Sequence, residues 1–203
     1  MGEIFLSYYW ARFKKIDNNI FRFDTRVYLK SIKNPSDSDI CIGAVVGKNP
    51  GSAAPIYPNS DELQKINLDG DQLLPNIKSI FKKSYDEANK VIKQNSYVQI
   101  LNLMYICNKE LKQAINKVEK YTTPIICDTE KKYFPFLWYV WGGSDKDLNR
   151  FKERFTKLNA DVHFYLDTKS KTIVTNAPNL KDSARHTQGL KHDFVVPYIS
   201  KIV

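Results

Sequence analysis

Ile40-Cys41-Ile42-Gly43-Ala44-Val45-Val46, running straight into Gly47-Lys48-Asn49-Pro50-Gly51-Ser52, is the stretch on which the fold turns. A strand wetted on one face alternates apolar and polar residues. This run carries no charged or polar side chain beyond a thiol, so both of its faces must be covered, as in the interior of a parallel sheet. The glycines and proline that follow stop the strand and hold the chain in a defined loop. In open α/β sheets ligands bind beyond the carboxyl ends of the strands, which is where this loop falls.

Two further runs repeat the pattern. Tyr97-Val98-Gln99-Ile100-Leu101-Asn102-Leu103 reads as a second buried strand and Phe136-Leu137-Trp138-Tyr139-Val140-Trp141 as a third, stopped by Gly142-Gly143. Between them lie segments of helical period. Leu73 to Ile92 places Ile77, Ile80, Phe81, Ala88, Val91 and Ile92 on one face, and residues 109–120 form a shorter helix. After the third strand, Ser144 or Asp145 is placed to cap a helix carrying Leu148, Phe151, Phe155 and Leu158. Val162 to Leu166 and Ile173-Val174 are shorter strands, and 176–193 is a polar, basic loop region. Residues 52–75 hold three prolines and no period, so they read as a long loop. Upstream, the alternation from Ile20 to Leu29 reads as edge strands, with a hairpin about Asp17-Asn18-Asn19. Strands alternating with helices predict an α/β fold, a central, mainly parallel sheet with helices on both faces. A chain of 203 residues suits a single domain over 1–203, with 1–39 as an aromatic and basic N-terminal extension.

Composition narrows the function classes. With 42% hydrophobic and 26% charged residues the chain can build an ordinary core. No leader and no apolar run of about 18 residues is visible. The three cysteines, Cys41, Cys107 and Cys127, lie in or beside apolar runs and read as reduced thiols. A soluble, cytoplasmic monomer without a membrane partner is expected. No Cys/His spacing suits zinc, and the Asp-x-Asp pairs at Asp69/Asp71 and Asp145/Asp147 read as a turn and a helix cap rather than a metal site. The net charge is +9. Between Lys169 and His192 five lysines and arginines face one acid, Asp182. That surplus favours a polyanionic partner, chiefly nucleic acid.

Four segments could carry chemistry. Gly47-Lys48-Asn49-Pro50-Gly51 offers loop amides and the Asn49 carboxamide at the mouth of the sheet, although an ordinary Asn-Pro-Gly turn explains it equally. Asn102 is a carboxamide inside an apolar strand, where it must be hydrogen-bonded or face a ligand. Trp141-Gly142-Gly143 permits close approach, or simply turns the chain. Arg185-His186-Thr187-Gln188-Gly189-Leu190-Lys191-His192 puts a histidine beside an arginine in a loop, either as a functional imidazole or as a solvated one.

These four segments, in this order, resemble the uracil-DNA glycosylase superfamily. More closely they resemble a bacterial family known only as an uncharacterised domain, which shares an N-P-S/G segment, a strand-end W-G and a late R-H. Glycosylases carry G-x-N-P-G or G-Q-D-P-Y-H after the first strand, like Gly47-Lys48-Asn49-Pro50-Gly51. Their second strand holds L-L-N, like Ile100-Leu101-Asn102, and their third ends in L-W-G, like Val140-Trp141-Gly142. Their last motif, H-P-S with a loop that wedges into DNA, is matched by His186-Thr187-Gln188-Gly189-Leu190. The resemblance spans about residues 40–195. Thr187 stands where the motif has proline, and an alternative alignment sets Asn176-Ala177-Pro178-Asn179 there, with no histidine.

The resemblance implies a three-layer α/β/α fold and metal-independent hydrolysis of the N-glycosidic bond of uracil in flipped-out DNA, without a cofactor. It casts Asn49 as the holder of the attacking water and His186 as the donor to the departing uracil. Asn102 is cast as the reader of the base edge, Tyr57 as its stacking partner, and Gly47, Lys48, Pro50 and Gly51 as the pocket loop. Lys181, Arg185, Leu190 and Lys191 fall to the DNA surface. Two other readings stay open: a non-catalytic DNA-binding module, and an enzyme acting on free modified nucleotides.

Overall fold

The computed structural model of the chain describes residues 6–203 apart from 53, 54, 56, 58, 59, 69, 144 and 145. The proposed cap at Ser144 or Asp145, and Asp69 of the first Asp-x-Asp pair, therefore lie outside the described residues.

One eight-stranded sheet organises the molecule. Its centre is built from the runs read as buried strands: β3 (Ile40–Gly47), β5 (Ser96–Asn102), β6 (Phe134–Tyr139) and β7 (Ala160–Leu166). They lie side by side in the order β5-β3-β6-β7, and all three pairings are parallel. The expectation of a mainly parallel sheet holds for this centre and not for the whole. β1 (Ser7–Ile16), β2 (Asn19–Ile32) and β4 (Gln64–Lys65) add antiparallel strands on one side, and β8 (Ile173–Val174) adds another beyond β7. The cause is the connections: a two-residue turn such as Asp17-Asn18, with Asp17 at φ +51°, can only return the chain antiparallel. The described part of the first 39 residues is built into the same sheet: β1 and β2 are two of its strands, with β2 paired directly to β5.

The faces of the sheet are buried under different helices. Val45, Ile100, Trp138 and Phe164 pack with Ile77, Ile80 and Phe81 of α1 (Leu73–Glu87) and Val196 and Ile199 of α4 (Val196–Ile202). Ala44, Val46, Leu101 and Tyr139 pack with Ala114 and Ile115 of α2 (Leu111–Val118) and Phe155 of α3 (Asn149–Thr156). Alternation along β3 sends Val45 to one cluster and its neighbours to the other, as a strand covered on both faces requires.

α1 stops five residues before its apolar period does. Asn89 takes a left-handed conformation at φ +51°, the Asn89 N–H donates to Asp86 O, and the Lys90 N–H reaches back to Tyr85 O. This pair of bonds closes a helix C-terminus and leaves Val91 86% exposed. The long loop read over 52–75 contains β4, which extends the sheet beside β1. The three cysteines are unpaired, and burial pushes the Cys107 thiol up to about 11. No described helix is long and apolar enough to cross a membrane.

Candidate active site

β3 leads through α1 to β5 on one side of it, and the chain then crosses back through α2 to β6 on the other side. The loops leaving β3 and β6 therefore diverge, and a crevice opens between them at the carboxyl ends of the strands. A cleft of about 840 Å³ occupies this point, lined by Lys48, Asn49, Pro50 and Gly51 from the first loop and by Gly142 and Gly143 from the second.

The third wall comes from the late loop. The Gly142 N–H donates to Ala184 O, and the Arg185 N–H donates to Leu166 O at the end of β7. These bonds stitch residues 184–185 onto the strand ends and set Arg185 and His186 on the cleft lining. Gly142 makes the convergence possible. Its φ is +83°, and a Cβ there would lie 3.4 Å from the Lys48 ammonium and 4.0 Å from the His186 Cβ. Those are ordinary contact distances, so it is the left-handed backbone that any other residue would strain.

His186 is prepared as a donor. The Gln188 N–H donates to its Nδ1 at 3.1 Å, so Nδ1 is the acceptor and the ring proton sits on Nε2. Burial, the positive charge of Lys48 and that of Arg185 hold its pKa below the ordinary imidazole range, against the opposing pull of Asp71. The ring is thus neutral near pH 7, with one N–H to give. Asn49 also lines the cleft and is fixed through its Nδ2, which donates to Asn108 O at 2.7 Å and leaves the carboxamide oxygen free to accept.

Asn102 stands one layer further in. It is fully buried, pairs with Gly47 across the ends of β5 and β3, and does not line the cleft. Its Oδ1 lies 3.4 Å from where a Gly47 Cβ would be, beside Leu73 at the same position. Neither amide atom of Asn102 has a hydrogen-bond partner. An unpartnered buried polar group costs roughly 1–3 kcal/mol, which a purely structural residue would shed by substitution.

Other expected site residues fall elsewhere. Tyr57 is exposed and away from the cleft, with its backbone N–H bonded to Gln64. Lys181 and Lys191 are exposed and line no part of it. Leu190 cannot serve as a protruding wedge in this conformation, because it packs in the core with Val195, Val196 and Ile199. Thr187, standing where the motif has proline, is also buried, and its carbonyl accepts from Asn76 of α1. This last loop is thereby drawn inward.

The structure adds residues that sequence reasoning did not assign to a site. Arg22 from β2, Lys109 and Asp71 also line the cleft. Arg22 sits at an apparently solvent-facing position of an alternating strand. It reaches the cleft because the chain after β5 runs back along β2, with Arg22 N–H bonded to Tyr105 O and Cys107 N–H to Ile20 O. Asp71 caps α1, its Oδ1 accepting from Leu73 and Leu74 N–H. Among the described lining residues four cations, Arg22, Lys48, Lys109 and Arg185, face one carboxylate, Asp71, so the cleft selects anions.

No family model, curated protein or solved structure matches this chain.

Proposed function

We propose that this chain is a metal-independent DNA glycosylase on a uracil-DNA glycosylase-like α/β/α fold, hydrolysing the N-glycosidic bond of uracil in DNA. One observation carries the reading: a neutral imidazole with its proton held on Nε2 and an anchored carboxamide line one electropositive cleft at the point where the strand order reverses. Across the sheet the parallel strands stand in the chain order second, first, third, fourth, and three of the four segments that resemble the glycosylase motifs lie at the carboxyl ends of the first three.

Cleavage of the bond transfers its electron pair to the departing base, so negative charge grows on a uracil oxygen while the sugar becomes cationic. A pre-oriented donor aimed at that oxygen lowers the barrier. His186 Nε2–H has the state for this, since a charged imidazolium would be disfavoured beside Lys48 and Arg185. Asn49 Oδ1 accepts a hydrogen bond from the water that attacks the sugar carbon, and the proton that water sheds ends on the uracil anion, directly or through solvent. Asn102 has no partner behind Gly47 and does not line the cleft, so its amide bonds the uracil edge only if the base enters past Gly47. Cytosine, with donor and acceptor exchanged, would leave that amide mispaired, and such mispairing discriminates strongly.

The test is release of free uracil from a uracil-containing oligonucleotide by excess purified protein, with chelator and with magnesium in separate reactions. Alkali-labile strands should accumulate equally in both. Strands left intact in both while the oligonucleotide is bound would make the protein a DNA-binding module instead.

A further inference from the structure

Arg22 is 1% exposed, yet it is among the residues that line the cleft. Its Nε and Nη1 have no hydrogen-bond partner, and its nearest carboxylate, Asp71 Oδ2, stands 3.7 Å away, beyond hydrogen-bonding distance. Asp71 already spends its other oxygen on the first turn of α1. A guanidinium presents five N–H donors in a planar fork that fits the oxygens of a phosphate. Burying one without satisfying it is costly unless an anion completes the site. Lys48 and Lys109 line the same cleft, so the local charge exceeds what Asp71 can balance.

We infer that Arg22, delivered by the N-terminal hairpin and assisted by Lys48 and Lys109, forms a subsite for a phosphate group of the nucleotide whose base enters the cleft. The inference deepens the proposed function and rests on it for the identity of that nucleotide. The phosphate subsite itself stands on the geometry of Arg22. A backbone phosphodiester and the phosphomonoester of a free nucleotide offer the same oxygens to the fork.

Calorimetric titration of the full chain tests it. The probes are deoxyuridine, deoxyuridine 5′-monophosphate and a uracil-containing trinucleotide without terminal phosphates. Both phosphate-bearing probes should bind about tenfold or more tighter than the nucleoside, because charge-assisted hydrogen bonds to a buried guanidinium are strong. Arg22→Gln should erase the increment. Asp71→Asn keeps an oxygen for the helix terminus but removes the competing charge, and should tighten phosphate binding by about threefold or more. It also keeps the inference testable if Arg22→Gln fails to fold. An increment for the trinucleotide assigns the subsite to a strand, and one confined to the monophosphate assigns it to a free nucleotide. No increment in the wild-type chain, or one that survives Arg22→Gln or is weakened by Asp71→Asn, overturns the inference. Uracil release unaffected by Arg22→Gln would leave the glycosylase reading standing alone. An Arg22-dependent increment without uracil release would leave the phosphate subsite standing alone.

Discussion

Arg22 and Arg26 lie four residues apart on β2, both shut away from solvent, and their surroundings treat them oppositely. Arg26 donates from Nε and Nη2 to the two oxygens of Asp24 at 3.0 and 2.7 Å, from Nη2 to Asp37 and from Nη1 to Ser36 O. Burial works against its charge, but the hydrogen bonds and the negative charge of Asp24 outweigh it and raise its pKa. For Arg22 burial prevails and lowers its pKa, against the weaker pull of Asp71, an ion pair at 3.7 Å, and of Cys107. One strand thus holds a guanidinium finished by the fold and another left unfinished at a cleft wall. The first belongs to the architecture. The second is placed where a ligand can complete it.

That contrast can be broken by substitution. Arg26→Met leaves the buried Asp24 with the single contact from Arg12 Nε in place of a two-pronged one, and should lower unfolding free energy by about 3 kcal/mol in urea titrations. Arg22→Met removes a charge held by one loose ion pair to Asp71, which keeps its hydrogen bonds from α1, and should leave stability unchanged or raise it by about 1 kcal/mol. Equal losses would show that Arg22 is structural after all.

The late loop offers a second form of the same contrast, between a residue spent on the core and one kept for the cleft. Leu190→Ala should cost about 2–4 kcal/mol of stability by leaving a cavity beside α4, with DNA affinity unchanged below the unfolding transition. Stability near wild type combined with weakened DNA binding would return Leu190 to the role of a wedge.

A smaller effect should appear with pH. The folded chain holds His186 below 6.5, so between that value and the folded pKa the unfolded chain binds the proton and the folded one does not. The stability this gives is complete above 6.5 and is lost as pH falls through the folded value. His186→Gln should make the decline in stability from pH 7 to pH 5 shallower, though not flat, because burial also lowers His163 and His192. An unaltered slope would mean that the imidazole is not held neutral by the cleft.

Much of the parallel centre was legible from uninterrupted apolar runs, since a strand covered on both faces leaves that mark wherever it occurs. The loops at the strand ends were legible too, because glycine and proline fix their conformation locally. Arg22 was not. Its place in Ile20-Phe21-Arg22-Phe23 is that of any wetted strand residue, and only the return of residues 105–107 along β2 buries it. Nor could alternation reveal that Leu190 turns inward: one leucine in a polar loop reads the same whether it packs or protrudes. The antiparallel flank was misjudged for a related reason. Its alternating pattern, right for an edge, concealed that β2 joins β5 and carries a cleft residue.

The central claim is that the chemistry belongs to the imidazole beside Gly142 and not to the other late histidine. His192 lies outside the cleft lining, six residues on. Single-turnover uracil excision by the wild type, His186→Ala and His192→Ala tests it most directly. Loss of one donor aimed at developing charge should slow His186→Ala by roughly a hundredfold, with DNA affinity nearly unchanged, while His192→Ala keeps pace with the wild type. Excision abolished by His192→Ala and preserved in His186→Ala, or equal rates in all three proteins, would contradict it.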